Sequence, residues 1–328
     1  MAMIHVLTAE DVQRAVPIER AIDAVKDAFV QLSAERADVP LRTALDVPRH
    51  NGVTLFMPAY LSDDDAMALK IVSVFDDNPS KGLPLIHALV VVVDAQTGAP
   101  KAVMDGTYLT ALRTGAASGA ATDVLARPDA RIAAVFGAGA QARTQLEAVC
   151  AVRAISEGWI YDIDPQRASA AADELGKKLD IQVSVAETPA TALGRADVVC
   201  TATTSSSPVF CDADVRPGTH INAIGAYTPQ MQEIPPETVV RAKVVIDHHE
   251  AALAEAGDLI IPMEDGLITA EHIHAELGEV LSGARPGRES AEEITLFKSV
   301  GVAVQDVAAA CAVLEAAQEL GLGKEVAL

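Results

Sequence analysis

Apolar residues along this chain follow three successive rhythms. In the first, Thr8-Ala9-Glu10-Asp11 reads as a capped helix start, and Pro17 opens a second helix with Ala21, Val25, Ala28, Phe29 and Leu32 on one face. Such a stripe needs a surface to cover it. The segments Val53 to Pro58, Ala68 to Phe75, His87 to Asp94 and Pro100 to Met104 supply one. They are short, rich in β-branched residues, and parted by turn formers such as Asn78-Pro79 and Gln96-Thr97-Gly98. The first 105 residues therefore predict an α+β unit built on a sheet.

From Tyr108 the chain turns to small residues, and Thr114-Gly115-Ala116-Ala117-Ser118-Gly119-Ala120-Ala121 predicts a helix whose backbone lies close to a neighbour. Arg127-Pro128 punctuates it. The third rhythm alternates. An apolar run Ile132 to Phe136 is followed by a glycine turn, a helical stretch to about Val152, a strand Trp159 to Tyr161, a helix Pro165 to Lys178, and strands near Ile181, Val198 and Ile221. That order predicts a parallel sheet with helices on its faces. An Ala-rich helical pattern from Val302 to Glu319 is expected to pack back on the first unit. The expected fold class is thus α/β: a Rossmann-type parallel-sheet domain at 127–299, inserted in a discontinuous α+β domain at 1–126 plus 300–328.

Composition narrows the function. The 328 residues carry 25 Lys and Arg against 46 Asp and Glu, a formal net charge of −21, so nucleic acid and anionic membrane surfaces would be repelled. With one Trp, four Tyr and six Phe, stacking platforms for bases are scarce as well. Cys150, Cys200, Cys211 and Cys311 form no C-x-x-C pair and are expected to be reduced and buried. Met1 to Asp11 carries acid by position 10 without a signal-peptide apolar core, and the most apolar stretch, Gly82 to Val93, is too short for a bilayer. The expectation is a cytoplasmic protein with neither nucleic acid nor membrane as partner.

The motif that carries chemistry is Gly137-Ala138-Gly139-Ala140-Gln141-Ala142, placed after the strand Ile132 to Phe136 and at the start of a helix. Gly137 permits the tight turn, Gly139 lets backbone approach a pyrophosphate, and Ala142 keeps helix and sheet close, while the helix start offers free amides to phosphate. A carboxylate, Asp162, ends the next strand 25 residues after Gly137. An acid there accepts from a ribose 2′-hydroxyl and repels a 2′-phosphate, which favours NAD(H); Arg167 nearby keeps NADP(H) as the alternative. Thr201-Ala202-Thr203-Thr204 follows the strand at Val198, where small polar residues either line a cofactor groove or simply make a loop.

A dinucleotide enzyme also needs a site that orients the reducible carbon. Arg42, Lys70 and Arg113 are the candidate cations of the first unit. By itself Lys70, between Leu69 and Ile71, reads most simply as a solvent-facing lysine; buried, it would require an anion. Arg113 is the one charge in the helix from Leu109 to Ala121 and is accounted for by a carboxylate or a phosphate. Tyr227, in the loop after His220 to Ile224, is either a proton donor or a loop residue. His248-His249 at a strand end and His272-x-His274 on an expected helix do not share a face, so no metal site is expected.

Taken together, Met57-Pro58-Ala59-Tyr60, Leu69-Lys70, Lys81-Gly82-Leu83-Pro84, Val103 to Tyr108, Leu112 to Ala117, Gly137 to Ala142, Gly218 to Gly225 and Phe297-Lys298-Ser299-Val300-Gly301 resemble the ornithine cyclodeaminase/mu-crystallin family. The resemblance runs in order from about Pro40 to Asp306, and Glu250-Ala251-Ala252-Leu253 with Gly257-Asp258 and Ala275 to Val280 looks especially like the mu-crystallin, or ketimine reductase, branch. It implies a homodimer formed through the non-Rossmann domain, which also binds substrate, with the substrate carboxylate held by Arg42 and Lys70. By the same resemblance Arg113, Ala140, Gln141, Asp162 and the region Ile224 to Tyr227, Gly225 included, touch the cofactor, and Ser299 and Val300 close the site; Gly137 and Gly139 belong to it by the motif, and Thr201 and Thr203 if the loop after Val198 lines the groove.

One position departs. Ornithine cyclodeaminases are similar but carry an aspartate in the loop where this chain has Tyr227, and a carboxylate suits the handling of two amines that cyclodeamination demands. What the resemblance then implies is the simpler half: an NAD(P)H-dependent ketimine reductase acting on pyrroline-2-carboxylate or piperideine-2-carboxylate, with Tyr227 as proton relay. The alternatives are an ornithine cyclodeaminase or alanine dehydrogenase-like amino acid oxidoreductase and, of another class, a small-ligand binding protein gated by dinucleotide.

Overall fold

The computed structural model describes residues 3–327. The chain begins with β1 (Met3–Leu7), α1 (Ala9–Ala15) and α2 (Ile18–Ser33), then β2 (Ala37–Asp38), β3 (Thr43–Val47), β4 (Gly52–Leu61), β5 (Ala66–Phe75), β6 (Ile86–Asp94) and β7 (Pro100–Asp105). The long α3 (Gly106–Leu125) leads into β8 (Ile132–Phe136), α4 (Ala140–Val152), β9 (Glu157–Tyr161), α5 (Pro165–Leu179), β10 (Gln182–Val185), α6 (Pro189–Leu193), β11 (Val198–Thr201) and β12 (His220–Ala223). There follow α7 (Pro236–Arg241), β13 (Lys243–Ile246), α8 (His249–Glu255), α9 (Gly257–Glu264), β14 (Ile273–Glu276), α10 (Leu277–Leu281) and β15 (Thr295–Lys298); α11 (Ala303–Leu320) and β16 (Lys324–Ala327) close the chain.

Two compact units result, one of Met1–Arg113 with Val302–Leu328 and one of Thr114–Gly301. The sequence pattern puts the boundary at Arg127-Pro128, after the helix; the units divide inside α3. Its second half belongs with the parallel sheet because small residues let backbones meet: a Cβ on Gly115 would stand 2.5 Å from the Thr144 carbonyl oxygen of α4.

The first unit is a sheet in the order β16-β1-β7-β6-β5-β4-β2, with β3 also on β4. It is antiparallel except for the β1–β7 pair. Helix α1 starts on the expected capping box, Thr8 with Asp11. In α2, Ala21, Val25, Ala28, Phe29 and Leu32 are buried as their spacing predicts. Helix α11 packs against α2, β4 and β5.

In the second unit every neighbouring pair of strands is parallel, in the order β10-β9-β8-β11-β12-β15-β13-β14. The order reverses between β8 and β11, the point where open parallel sheets take ligands. Its aliphatic core includes Val135, Leu146, Val149, Ile160, Leu175 and Val198. No described helix is long and apolar enough to cross a membrane.

Three expectations are corrected. His274 lies on β14 and His272 in a 3-10 turn, not on a common helix; their Nε2 atoms meet the Pro286 and Val239 carbonyls. Only Cys200 of the four cysteines is buried, and Cys211 is exposed. Strands β1, β2, β3, β14, β15 and β16 go beyond the sequence reading, while β13 is the strand that ends just before His248-His249.

Candidate active site

Strand alternation decides the fate of Lys70. On β5 its side chain shares a face with buried Ala68 and Val72, and it faces Met57 of β4 and Val90 of β6 in register. It is 2% exposed, so the solvent-facing reading is wrong. The required anion is Asp306 in the first turn of α11: Lys70 Nζ lies 2.7 Å from its Oδ2, and Arg113 Nε donates to its Oδ1 at 3.1 Å. Arg113 also donates through Nη1 to the Gln305 side-chain oxygen. Arg113, expected at the cofactor, here shares one carboxylate with Lys70.

Two buried cations thus face one buried anion, leaving a surplus positive charge. Burial, then Arg113, pulls the Lys70 ammonium down to about 8; Asp306 opposes this, and the charge of half-exposed Arg42 adds to it. Arg42, Lys70 and Arg113 are therefore one electrostatic cluster. Asp306 escapes the sequence reading, although it is the one charged residue between Lys298 and Glu315 in an Ala- and Val-rich segment.

In the second unit the glycine turn has the expected geometry. Gly137 adopts φ +94°, and a Cβ there would stand 2.7 Å from the Ala202 carbonyl oxygen, so neither its torsion nor its space admits a side chain. Gly139 is the N-cap of α4 and no side chain caps the helix, so the first-turn amides at Ala140 and Gln141 keep their bonding capacity for an anion. Asp162 is half-buried; its Oδ2 accepts from the Ala138 amide at 2.6 Å and its Oδ1 from the Asp164 amide at 2.9 Å. The carboxylate thereby ties the end of β9 to the glycine turn. These features, a sterically emptied turn beside uncapped amides and a fixed acid, fit a dinucleotide.

The remaining expected positions sit on a buried polar lattice that the sequence does not announce. Glu233 accepts from Thr201 Oγ1 at 2.9 Å, Thr203 N at 2.6 Å, Gly225 N at 2.8 Å and Ala226 N at 3.1 Å, joining the loops after β11 and β12. Asp258 Oδ1 accepts from the Glu233 and Ile234 amides, and its Oδ2 pairs with Lys298 Nζ at 2.8 Å. Burial, then Asp258, raises the Glu233 carboxyl above its ordinary range, and Lys298 opposes the shift. Asp247 Oδ2 accepts from Ser299 Oγ and from the Val300 and Gly301 amides, each at 2.8 Å.

The hydroxyls of Thr201 and Ser299 are thus committed to carboxylates, and the Thr203 hydroxyl accepts from the Ser205 amide. Ile224 is buried, its amide on the Thr201 carbonyl. Tyr227 lies in the loop beyond β12 and is exposed. Glu233, Asp258 and Asp247 carry no spacing signal, since what marks them is the backbone they meet in three dimensions.

A sequence model of the ornithine cyclodeaminase/mu-crystallin family matches residues 3–321. The chain belongs to this family. It is 40% identical over 322 residues to a protein of Bacillus cereus named Delta(1)-pyrroline-2-carboxylate reductase, covering 98% of this chain and 99% of that one. Among solved structures it matches Delta(1)-pyrroline-2-carboxylate reductase of Thermococcus litoralis, in complex with NADH and L-proline, at TM-score 0.95 and 46% identity over 98% of this chain and 100% of that one. An archaeal alanine dehydrogenase dimer with bound NAD matches at TM-score 0.93 and 38% identity over the whole of both chains.

Proposed function

We propose that this chain is an NAD(P)H-dependent ketimine reductase that converts cyclic imino acids, Δ1-pyrroline-2-carboxylate or Δ1-piperideine-2-carboxylate, to the cyclic amino acids. The observation that carries the reading is the buried surplus charge of Lys70, Arg113 and Asp306. A substrate carboxylate balances it, and Arg42 adds a second point of attachment. Two or more donors on one planar carboxylate fix the ring's orientation, which is the protein's chief contribution to such a reduction. Bound NADH supplies the hydride. Protonation of the ring nitrogen makes the imine carbon electrophilic, and Tyr227 is assigned as the proton relay on the strength of its loop position. Support for the substrate comes from the similarity to the Bacillus and Thermococcus reductases.

Gly137, Gly139, Ala140, Gln141 and Asp162 are assigned to the cofactor, with NADH preferred because Asp162 presents a carboxylate at the end of β9. Thr201, Thr203, Ile224, Gly225 and Ser299 are assigned to shaping the cofactor loops through Glu233 and Asp247. The reading places the enzyme in the cytoplasm, where the free thiols of Cys150, Cys200, Cys211 and Cys311 persist.

The test follows absorbance of NADH and NADPH with each cyclic ketimine, with pyruvate plus ammonia, and with L-ornithine. Consumption of NADH by a ketimine, with the cyclic amino acid as product, is expected. Ammonia released from ornithine with only catalytic NAD, and no oxidation of NADH by either imine, would overturn the reading in favour of a cyclodeaminase.

The proposed enzyme is a homodimer. On the sheet face opposite Lys70, Phe56–Ile71–Leu89 and Pro58–Leu69–Val91 form apolar cross-strand rows, and Leu41, Leu45 and Leu85 are exposed nearby in sequence and sheet. Apolar rows of this extent call for cover, and a related alanine dehydrogenase is described as a dimer. Light scattering is expected to give twice the chain mass for the native protein and one chain mass for Ile71→Glu; a native monomer at micromolar concentration would refute the assignment.

A further inference from the structure

Arg167 stands in the first turn of α5, its amide bonded to the N-cap Asp164. In a chain with 46 acidic residues against 25 basic ones, its guanidinium has no hydrogen-bond or ion-pair partner among the described residues. The nearest basic neighbour on the turn, Arg143, is differently placed: it pairs with Glu174 at 2.7 Å and donates to the Gly139 carbonyl at 3.1 Å. Nor is Arg167 paired with Asp162, whose two oxygens accept from the Ala138 and Asp164 amides.

The position of the guanidinium is specific. Arg167 Nη2 lies 3.7 Å from the point a Cβ on Gly139 would occupy, and it is the one atom near that point. The cation therefore hangs over the open face of the glycine at the N-cap of α4 while belonging to the first turn of α5. Both helices present the positive end of their dipole there, so a guanidinium raises rather than lowers the local energy until an anion arrives. The face left open at Gly139 is where backbone approaches the phosphates of a dinucleotide.

We propose that Arg167 is a cofactor-binding residue whose partner is the pyrophosphate, making it a clamp over Gly139 and not a reader of the adenosine 2′-position. The proposal rests on the dinucleotide reading of the second unit. Arg167 gives the phosphates a local cation in a chain whose summed charge of −21 repels them. An exposed side chain with no protein contact to break suits entry and release of the cofactor.

The experiment measures binding to the protein without substrate, by calorimetry or NADH fluorescence, for NADH, NADPH, ADP-ribose and adenosine at low and moderate salt. In Arg167→Ala the affinities for NADH, NADPH and ADP-ribose are expected to fall together, roughly 10- to 100-fold, the range of a hydrogen bond to a charged group. Adenosine binding stays as in the native protein, and Arg167→Lys recovers part of the loss because it keeps the charge without the fork. The melting temperature stays unchanged, since no protein contact is removed. Loss confined to NADPH would overturn the proposal and make Arg167 a 2′-phosphate ligand. Equal NADH affinity in native protein and Arg167→Ala would overturn the proposal alone. A native protein that binds neither dinucleotide would overturn the dinucleotide reading and the proposal with it.

Discussion

Lys70→Met is expected to lower kcat/KM for Δ1-pyrroline-2-carboxylate about a thousandfold while leaving NADH binding intact. Removing one partner of a buried, hydrogen-bonded charge pair costs roughly 2–5 kcal/mol, and about 4 kcal/mol corresponds to that factor. Stability should respond quite differently. Loss of one member usually strands the other, but Asp306 keeps Arg113 at 3.1 Å, so the cluster passes from a surplus positive charge to neutrality. Methionine fills most of the lysine's volume, and the melting temperature is expected to move by only a few degrees.

The same side chain sets a pH limb. With its pKa depressed to about 8 in the free protein, Lys70 is an ammonium below that pH and an amine above it. Anion binding favours the ammonium, so affinity for pyrrole-2-carboxylate, a planar carboxylate without a basic nitrogen, is expected to be flat below pH 8. It should fall up to tenfold per unit above it. In Lys70→Met the limb should vanish along with most of the affinity. An unchanged limb in the variant, measured by inhibition or calorimetry, would remove Lys70 from the carboxylate site.

Asp258→Ala is the second large effect, and it is one of stability. The substitution strands Lys298, which is 0% exposed and keeps only the Ala226 carbonyl, and it orphans the amides of Glu233 and Ile234. Breaking a buried pair costs about 3–5 kcal/mol. Glu233 feels the Lys298 charge as well, which offsets part of the loss and favours the lower end. For a unit of this size about 3 kcal/mol lowers the melting temperature by roughly 10 °C.

Dinucleotide affinity should fall with it, because Glu233 positions the loops at Thr203, Gly225 and Ala226. Asp258→Asn retains an oxygen for the two amides and should lose less. Calorimetric scans in which Asp258→Ala melts within a degree of native would show that the lattice is not what holds these loops.

Much of the architecture is legible from local chemistry. The capping box at Thr8, the stripe of α2, the parallel alternation after Arg131 and the glycine turn each depend on residues within one or two turns of each other, so their spacing exposes them. The small-residue run through Gly115 announces a close backbone contact without saying with what. Glu233 is invisible, and Asp258 enters only through the resemblance at Gly257-Asp258 and without a role, because a buried carboxylate that accepts backbone amides leaves no pattern in sequence.

The sequence by itself determined a dinucleotide-type turn, an acidic chain with few cations to hold anions, and three cations worth attention. Only the tertiary structure decided what those cations do. Both faces of β5 are apolar, Leu69 and Ile71 on one and Ala68 and Val72 on the other, so alternation could not say which way Lys70 points. Packing of α11 onto β5 settled it, bringing Asp306 to Lys70 and, across 193 positions of chain, to Arg113. A buried charge is defined by its partner, and a partner that distant exists only once the chain has folded.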